Sequence, residues 1–223
     1  MDDDQLSNTC IEDIENLIPM VESSFGFKFN LGELEQITTF GEFCDITTSK
    51  IHLTDAPDCT PQQAFYKLRQ ALAPHIPGLA VTPASRLEDI LPSSRHKRRI
   101  ILYSVEVKLG FTLSLIGIYI PSFIIIFCAF FLSFASFIVN WHVGIICVSL
   151  TCTAMYFNIE FGNTLYAKII REIVEKMTRE HYIQSRRNSN TINRAEIFKQ
   201  TQALFASELY LKTSALTHDA PFV

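Results

Sequence analysis

The fold is decided by residues 109–159, which read LGFTLSLIGIYIPSFIIIFCAFFLSFASFIVNWHVGIICVSLTCTAMYFNI. They contain no Asp, Glu, Lys or Arg, and the apolar run is interrupted only near Asn140-Trp141-His142. A helix needs about 20 mostly apolar residues to cross a hydrocarbon core roughly 30 Å thick. We therefore predict a transmembrane helical hairpin over residues 112–159, with spans at 112–139 and 143–159.

The second predicted span is the weaker one, because it carries Ser149, Thr151, Thr153 and Asn158. Polar side chains are tolerated in a span where they pack closely or hydrogen-bond to a partner helix. We therefore expect the first span to help the second to insert. The same side chains suggest self-association, so a homo-oligomer is a further hypothesis.

Other residues of the hairpin carry structural expectations. Pro121 is predicted to kink the first helix. Cys128, Cys147 and Cys152 are predicted to be packing residues. Two alternatives stay open: a pair of very hydrophobic buried helices in a soluble protein, and a hairpin that enters the bilayer without crossing it.

Basic residues flank the hairpin on both sides and set its expected orientation. Lys and Arg concentrate in cytoplasmic flanks, so we expect an integral protein of the inner or plasma membrane with both termini cytoplasmic. Anionic headgroups attract bases that lie next to a span, so the preceding bases are predicted to contact the membrane surface. These are Arg95, Lys97, Arg98, Arg99 and Lys108, while Lys168 and Arg171 follow the second span.

Composition excludes several classes of protein. The formal charge is −4, with acidic residues near the N-terminus and bases beside the hairpin, which argues against nucleic-acid binding. The chain opens Met-Asp-Asp-Asp and shows no cleaved signal peptide. His52, Cys59 and His75 lack metal-ligand spacing, and no catalytic motif is found. We expect a protein without a metal site or enzymatic activity.

Outside the hairpin the periodicity predicts an all-α fold. The predicted helices cover Ile11–Phe25 with Pro19 inside it, Thr39–Ile46, a helix from Thr60 to about Ile76, a basic helix ending at Leu109, Thr164–Thr178, and Arg194–Leu211. Thr38 or Thr39 is the expected cap of the second helix, with Glu42 completing a capping box. Thr60 is the expected N-cap of the third, followed by Pro61.

Two groups of motifs resemble acyl carrier proteins, which are small helical bundles that carry phosphopantetheine on a serine. The first group is SFGFKF at 24–29 with LEQITTFGEF at 34–43. The second is VTPASRLEDILPSS at 81–94, followed by a helix that ends in Leu109-Gly110-Phe111. The resemblance implies small acyl-carrier-like bundles on the cytoplasmic side of the membrane.

The chain departs from the family at the residues that carry the family's chemistry. Ile11 stands near the position of the modified serine in the first group. In the second, Ser94 falls at that position, but Ser93 replaces the aspartate and Arg95 the leucine. The helix after Ser94 is basic where the family has an acidic one. A role as a helix N-cap is therefore favoured for Ser93 or Ser94 over phosphopantetheine attachment at Ser94.

The motifs suggest a division of the chain. Carrier-like segments cover 1–52 and 58–111, the hairpin covers 112–159, and an amphipathic helix at 160–182 completes the second module. The tail ALTHDAPFV at 215–223 parallels AVTPASRLE at 80–88, which indicates an internal repeat and makes 192–223 the candidate completion of the first module. The alternatives are a single larger helical cap and completion by another chain.

These expectations combine into two functions. The first is an integral membrane protein with non-catalytic, carrier-like interaction modules, whose partners are the lipid bilayer and an unidentified protein. The second is a membrane-tethered acyl carrier that bears phosphopantetheine on Ser94 for lipid or secondary-metabolite synthesis. A third, weaker hypothesis is a lipid-sensing bundle that accepts an acyl chain.

Overall fold

The computed structural model describes residues 5–76, 78, 80–117, 120–161 and 164–222. It is mostly helical, which confirms the predicted all-α class. The helices are α1 (Ile11–Phe25), α2 (Phe40–Lys50), α3 (Thr60–Leu72), α4 (Leu87–Ile90), α5 (Arg95–Leu109), α6 (Ile120–Ser133), α7 (Ser136–Val139), α8 (Trp141–Phe161), α9 (Ile170–Glu180), α10 (Tyr182–Ser185) and α11 (Arg194–Glu208). Short 3₁₀ turns cover Leu6–Asn8, Ala73–His75 and Thr213–Ala215.

In the described part of the chain, four strands of two residues each join segments that are distant in sequence. Strand β1 (Thr54–Asp55) pairs in parallel with β4 (Thr191–Ile192). Strand β2 (Ile116–Gly117) pairs antiparallel with β3 (Thr164–Leu165), with Ile116 opposite Leu165. These ladders are too short to make a sheet with its own core, so their role is to pin segments together.

The described chain separates into two compact units. Unit 1 contains residues 1–78, 105–113 and 171–223, and unit 2 contains 79–104 and 114–170. The predicted segment 58–111 and the predicted helical segment 160–182 each contribute to both units. The domain boundaries drawn from the sequence therefore stay a prediction.

The core of unit 1 brings the two ends of the chain together. Its buried apolar side chains come from residues 6–51 and from residues 182–220. Phe40 and Phe205, for example, are buried with their ring centroids 5.2 Å apart. Apolar burial is the main favourable term in folding, so neither end segment could keep this core without the other.

Each unit contains one isolated antiparallel bridge of the same pattern. In unit 1, Phe40 N donates to Ala220 O at 2.9 Å and Phe222 N donates to Thr38 O at 2.9 Å. In unit 2, Ile170 N donates to Ser85 O at 3.0 Å and Leu87 N donates to Lys168 O at 2.8 Å. Both bridges join a loop to the residues just before a helix, which is α2 for the bridge of unit 1 and α9 for the bridge of unit 2.

Several helix limits agree with the sequence. Helix α1 has the predicted limits, runs through Pro19 and ends at Gly26, whose φ of 69° is the left-handed conformation that glycine adopts readily. Helix α2 starts one residue later than predicted and is capped by Thr39, with Glu42 completing the predicted capping box. Helix α5 ends at Leu109 as predicted, and Gly110 follows at a φ of 84°.

Other predicted helix limits are wrong. The first apolar helix begins at Ile120 and not at Thr112, so Pro121 lies in its first turn, where a missing N–H costs nothing and no kink follows. Residues Thr164 and Leu165 form a strand, so the helix after the hairpin begins only at Ile170. Cys59, and not Thr60, is the N-cap of α3.

The capping box of α2 predicts a pH-dependent stability. Hydrogen bonds from the Thr38 and Thr39 N–H groups and the Thr38 hydroxyl hold the pKa of Glu42 below its ordinary value. A lowered folded-state pKa contributes stability above the unfolded pKa, and that contribution is lost as the pH falls through the folded pKa. We expect Glu42→Gln to be less stable than the wild type near neutral pH, and the difference to shrink below about pH 4.

The measurement is urea unfolding of the purified chain in detergent, followed by circular dichroism. Thr39→Ala should lose about 1 kcal/mol, whereas Thr39→Ser keeps the hydroxyl and should stay close to the wild type. If Glu42→Gln were less stable than the wild type by the same amount at neutral and at acidic pH, the assigned role of the carboxylate would be contradicted.

Candidate functional site

The apolar hairpin, residues 120–161, is built from α6, α7 and α8. Helices α6 and α8 pack against each other, and α7 packs on α8 after a turn at Asn140. The Asn140 side chain accepts a hydrogen bond from His142 N at 2.9 Å, which satisfies a free N–H group at the start of α8. The two helical arms therefore run antiparallel.

The outer surface of the apolar hairpin is exposed and strongly apolar. Ile125, Leu132 and Ile138 are 70%, 73% and 89% exposed. Among the described residues, one helical segment, Ile120–Ile138, is long and apolar enough to cross a membrane, and 6% of its most apolar window is buried. Within the described structure, these apolar side chains therefore remain almost entirely unburied, which is unusual for large apolar residues.

The contact between the two arms depends on a glycine and one polar pair. A Cβ added at Gly144 would come within 2.5 Å of the Phe137 ring, so only glycine permits this approach of α8 to α7. The Asn158 amide donates to the Ser122 hydroxyl across the helices. In contrast, the Thr151 and Thr153 hydroxyls donate to carbonyls of their own helix, 3.0 and 2.8 Å away.

The cysteines of the apolar hairpin differ from the prediction. Cys128 and Cys152 are exposed and Cys147 is half-buried. The predicted packing role is therefore wrong for Cys128 and Cys152, because their side chains lie on the outer surface of the two-helix pair and not between its arms.

The base of the apolar hairpin is the antiparallel pair of β2 with β3. Tyr166 N also donates to Leu115 O at 3.0 Å, which extends the pairing by one bond. The Tyr166 ring passes so close to Gly117 that a Cβ there would meet it at 2.0 Å. The chain thus enters and leaves the apolar hairpin at one place.

The five bases predicted to contact the membrane surface do not share one environment. Lys97 and Arg99 are exposed on α5. Arg98 is buried, with 7% of its surface accessible, and its Nε donates to Pro92 O at 3.2 Å. Arg95 is half-buried, and the exposed Lys108 donates through Nζ to Gln70 O at 2.9 Å.

Ser94 lies directly before α5. Its side chain is exposed, and its carbonyl accepts the first hydrogen bond of the helix, from Arg98 N at 2.9 Å.

Sequence reasoning missed a buried polar network in unit 1. Arg186, which lies between two helices predicted from the sequence, has a fully buried side chain. Its Nη1 donates to Thr60 Oγ1 at 2.6 Å and Asp58 O at 3.3 Å, Nη2 donates to Ala56 O at 3.1 Å, and Nε donates to Thr191 Oγ1 at 3.2 Å. These acceptors are all uncharged, and they satisfy donors that would otherwise make burial of the cation prohibitive.

The network continues through Tyr182. Thr60 Oγ1 donates to the Tyr182 hydroxyl at 2.9 Å, and that hydroxyl donates to Glu196 Oε2 at 2.7 Å. Burial raises the pKa of Tyr182 to about 12, so the phenol stays protonated and keeps donating at neutral pH. We call this network of Arg186, Thr60, Tyr182 and Glu196 the clamp. Its polar groups hydrogen-bond to one another, so its role is structural, and it joins α3, α10 and α11.

The remaining titratable groups offer little chemistry. Among the described residues, no group of three His, Cys, Asp or Glu side chains is placed to hold a metal ion. Burial, with the Asp45 charge adding to it, raises the pKa of the Cys44 thiol to about 12, so this cysteine is not a nucleophile at neutral pH. A cavity of about 360 Å³ beside the clamp is lined by Cys59, Gln62, Gln63 and Tyr66, among others.

Comparisons with protein-family models, with curated proteins and with solved structures found no match to this chain.

The clamp predicts a large difference between two adjacent arginines. Arg186→Met leaves one buried and three partly buried acceptor atoms without their donor, so we expect the free energy of unfolding to fall by about 3 kcal/mol or more. Arg187 is exposed, and Arg187→Met should change the free energy of unfolding by less than about 0.5 kcal/mol. Urea unfolding in detergent measures both, and equal losses would show that the buried guanidinium has no special role.

Proposed function

We propose that this chain is an integral membrane protein whose apolar hairpin crosses the bilayer twice. Both termini lie in the cytoplasm, where carrier-like helical modules serve as non-catalytic interaction modules for an unidentified protein partner. The membrane is the inner or plasma membrane.

The exposed apolar surface of the hairpin is the observation that carries the proposal. Fully burying one large apolar side chain away from water is worth about 1.5–3 kcal/mol. Transfer of the hairpin surface from water to lipid is therefore favourable by many times that amount. The exposed large apolar residues include Ile120, Ile124, Ile125, Phe127, Phe131, Leu132, Phe134, Ile138, Ile145, Ile146, Leu150 and Phe157.

The lengths of the two arms support two crossings. At 1.5 Å per residue, the 21 residues of α8 extend about 31 Å, and the stretch from Ile120 to Val139, which contains α6 and α7, extends at most about 30 Å. Both values match a hydrocarbon core roughly 30 Å thick. Helix α8 is four residues longer than the span 143–159 that the sequence predicts, so its length supports a second crossing.

The closed base and the flanking charges support the orientation. Since β2 pairs with β3, the two ends of the apolar hairpin lie on one side of the membrane. Five Lys and Arg residues precede the hairpin between Arg95 and Lys108, and Lys168 and Arg171 follow it, while 134–142 contain none. The side with the bases is the cytoplasmic one.

The two isolated bridges support carrier-like modules related by an internal repeat. In each, a loop that follows a long helix, α11 or α3, pairs with the residues before α2 or α9. The loops are the segments whose sequences run in parallel, 215–223 and 80–88. Under this proposal the first module joins 1–52 with 192–223, and the second joins 58–111 with 160–182 around the inserted hairpin.

Topology can be tested with single cysteines in a chain whose six native cysteines are replaced. We expect Asn140→Cys to react with a membrane-impermeant maleimide in sealed right-side-out vesicles, because the turn faces outward. Ser214 is exposed, and under this proposal it lies in the cytoplasm, so Ser214→Cys should react only after the vesicles are opened. The protein should also stay in the membrane on carbonate extraction. A protected Asn140→Cys would mean that the hairpin enters the bilayer without crossing.

A second function is favoured by the exposed position of Ser94 before α5: an acyl carrier that holds phosphopantetheine. We nevertheless expect that Ser94 does not carry phosphopantetheine, because Ser93, Arg95 and the basic helix depart from the family pattern. The test is the intact mass of the chain co-expressed with a phosphopantetheinyl transferase, beside Ser94→Ala and a control carrier. An added mass of one phosphopantetheine that is absent from Ser94→Ala would establish the carrier function.

A further inference from the structure

The cavity of about 360 Å³ beside the clamp lies within unit 1, between the start of α3 and the loop that joins α10 to β4. We call it the polar cavity. Its volume falls at the lower end of the range of about 300–1,000 Å³ that is usual for small-molecule sites, so it fits a small ligand. The side chains that line it include Asp58, Gln62, Gln63, Tyr66, Arg187 and Asn188.

The polar cavity carries one acidic and one basic side chain that do not neutralise each other. These are Asp58 and Arg187, and both are exposed. Within the described part of the chain, neither side chain takes part in an ion pair or a hydrogen bond. Both charges are therefore available to a ligand that enters the polar cavity.

The main chain on both sides of the polar cavity is held in place by hydrogen bonds. Asp58 O accepts from Arg186 Nη1 at 3.3 Å and from Asn193 Nδ2 at 3.4 Å. Arg187 N donates to Gln63 Oε1 at 2.7 Å. Since the positions of both charged residues are fixed through their main chains, only their side chains must be ordered on binding, which limits the entropy cost.

From these observations we propose that the polar cavity binds a free α-amino acid as its zwitterion. The Arg187 guanidinium binds the α-carboxylate, because its planar fork of donors matches the two oxygens of that group. The Asp58 carboxylate accepts hydrogen bonds from the α-ammonium group. An anion without an ammonium group is repelled by Asp58, and a cation without a carboxylate is repelled by Arg187, so the zwitterion is the ligand that suits both.

The uncharged part of the lining contacts the side chain of the ligand. Gln62 and Asn188 provide amide groups, and the Tyr66 ring is 46% exposed. The Arg69 guanidinium lies 5.9 Å from the centroid of this ring, which supports its position. L-glutamine and L-phenylalanine are therefore the two probes, because the first can hydrogen-bond to the amides and the second can pack on the tyrosine ring.

The first experiment is isothermal titration calorimetry of the full chain in detergent. At least one probe should bind, and its methyl ester and its N-acetyl derivative, which each lack one of the two charges, should bind roughly tenfold more weakly. Arg187→Gln should lose the preference for the amino acid over its methyl ester, and Asp58→Asn the preference over the N-acetyl derivative. A general loss of structure would instead weaken all three ligands alike.

The chain offers matched controls for both substitutions. Arg187→Gln and Asp58→Asn keep the main-chain hydrogen bonds of residues 187 and 58, so both variants should fold as the wild type does. Lys199→Gln and Glu15→Gln remove the same charges from exposed sites on α11 and α1, outside the polar cavity. They should change the affinity by less than about twofold.

A second measurement uses Cys59, which lines the polar cavity and is exposed. Alkylation of the wild type by iodoacetamide can be followed at each cysteine by peptide mass spectrometry. With the amino acid at about ten times its Kd, alkylation of Cys59 should slow roughly tenfold. Cys10 is also exposed but lies outside the polar cavity, so its rate should not change.

Several results would overturn the inference. Binding of neither probe would remove the ligand class, and equal affinity for the amino acid and its two derivatives would show that the charges play no part. Inorganic phosphate that binds more tightly than the amino acid would make Arg187 part of an anion site. Equal slowing at Cys59 and Cys10 would place binding elsewhere. These results do not depend on membrane insertion, so each leaves the proposed function as it stands.

Discussion

The antiparallel pairing of Ile116–Gly117 with Thr164–Leu165 is the constraint on which unit 2 depends. Between these strands lie the two arms of the apolar hairpin, whose exposed apolar surface is energetically unfavourable in water. Closing the loop at its base costs entropy only once, and each added residue of the arms increases that cost slowly. A long apolar insertion is therefore compatible with a small helical unit, provided that its two ends stay together.

Unit 1 meets a different constraint, because its core is shared by the two ends of the chain. A small core gives little stability by itself, and the clamp around Arg186 adds directional bonds between segments that are far apart in sequence. A buried guanidinium tolerates few alternative arrangements of its neighbours, since each lost acceptor leaves a donor unpaired. The clamp thus selects one arrangement of α3, α10 and α11 rather than simply adding stability.

Local signals in the sequence predicted much of the secondary structure. The limits of α1 followed from its apolar spacing and Gly26, and the cap of α2 followed from Thr39 and Glu42, because each depends on residues within one helical turn. The start of the first apolar helix was wrong for an equally physical reason. Residues 112–117 include Leu113, Leu115 and Ile116, yet they are not helical, because Ile116 and Gly117 pair with a strand 47 residues later. The predicted surface role of Arg98 has the same difficulty, since its burial depends on Pro92 and on the folding of its neighbours around it.

By itself the sequence determined that this chain is helical and that residues 120–161 form a surface unsuited to water, because apolar length and periodicity are properties of consecutive residues. Only the tertiary structure decided that Arg186 is buried and that Asp58 and Arg187 line one cavity. The acceptors that make burial of a charge tolerable, such as Thr60, lie 126 residues from Arg186 in the chain. No local pattern specifies such a pairing, because it exists only once the segments that carry its two halves have packed together.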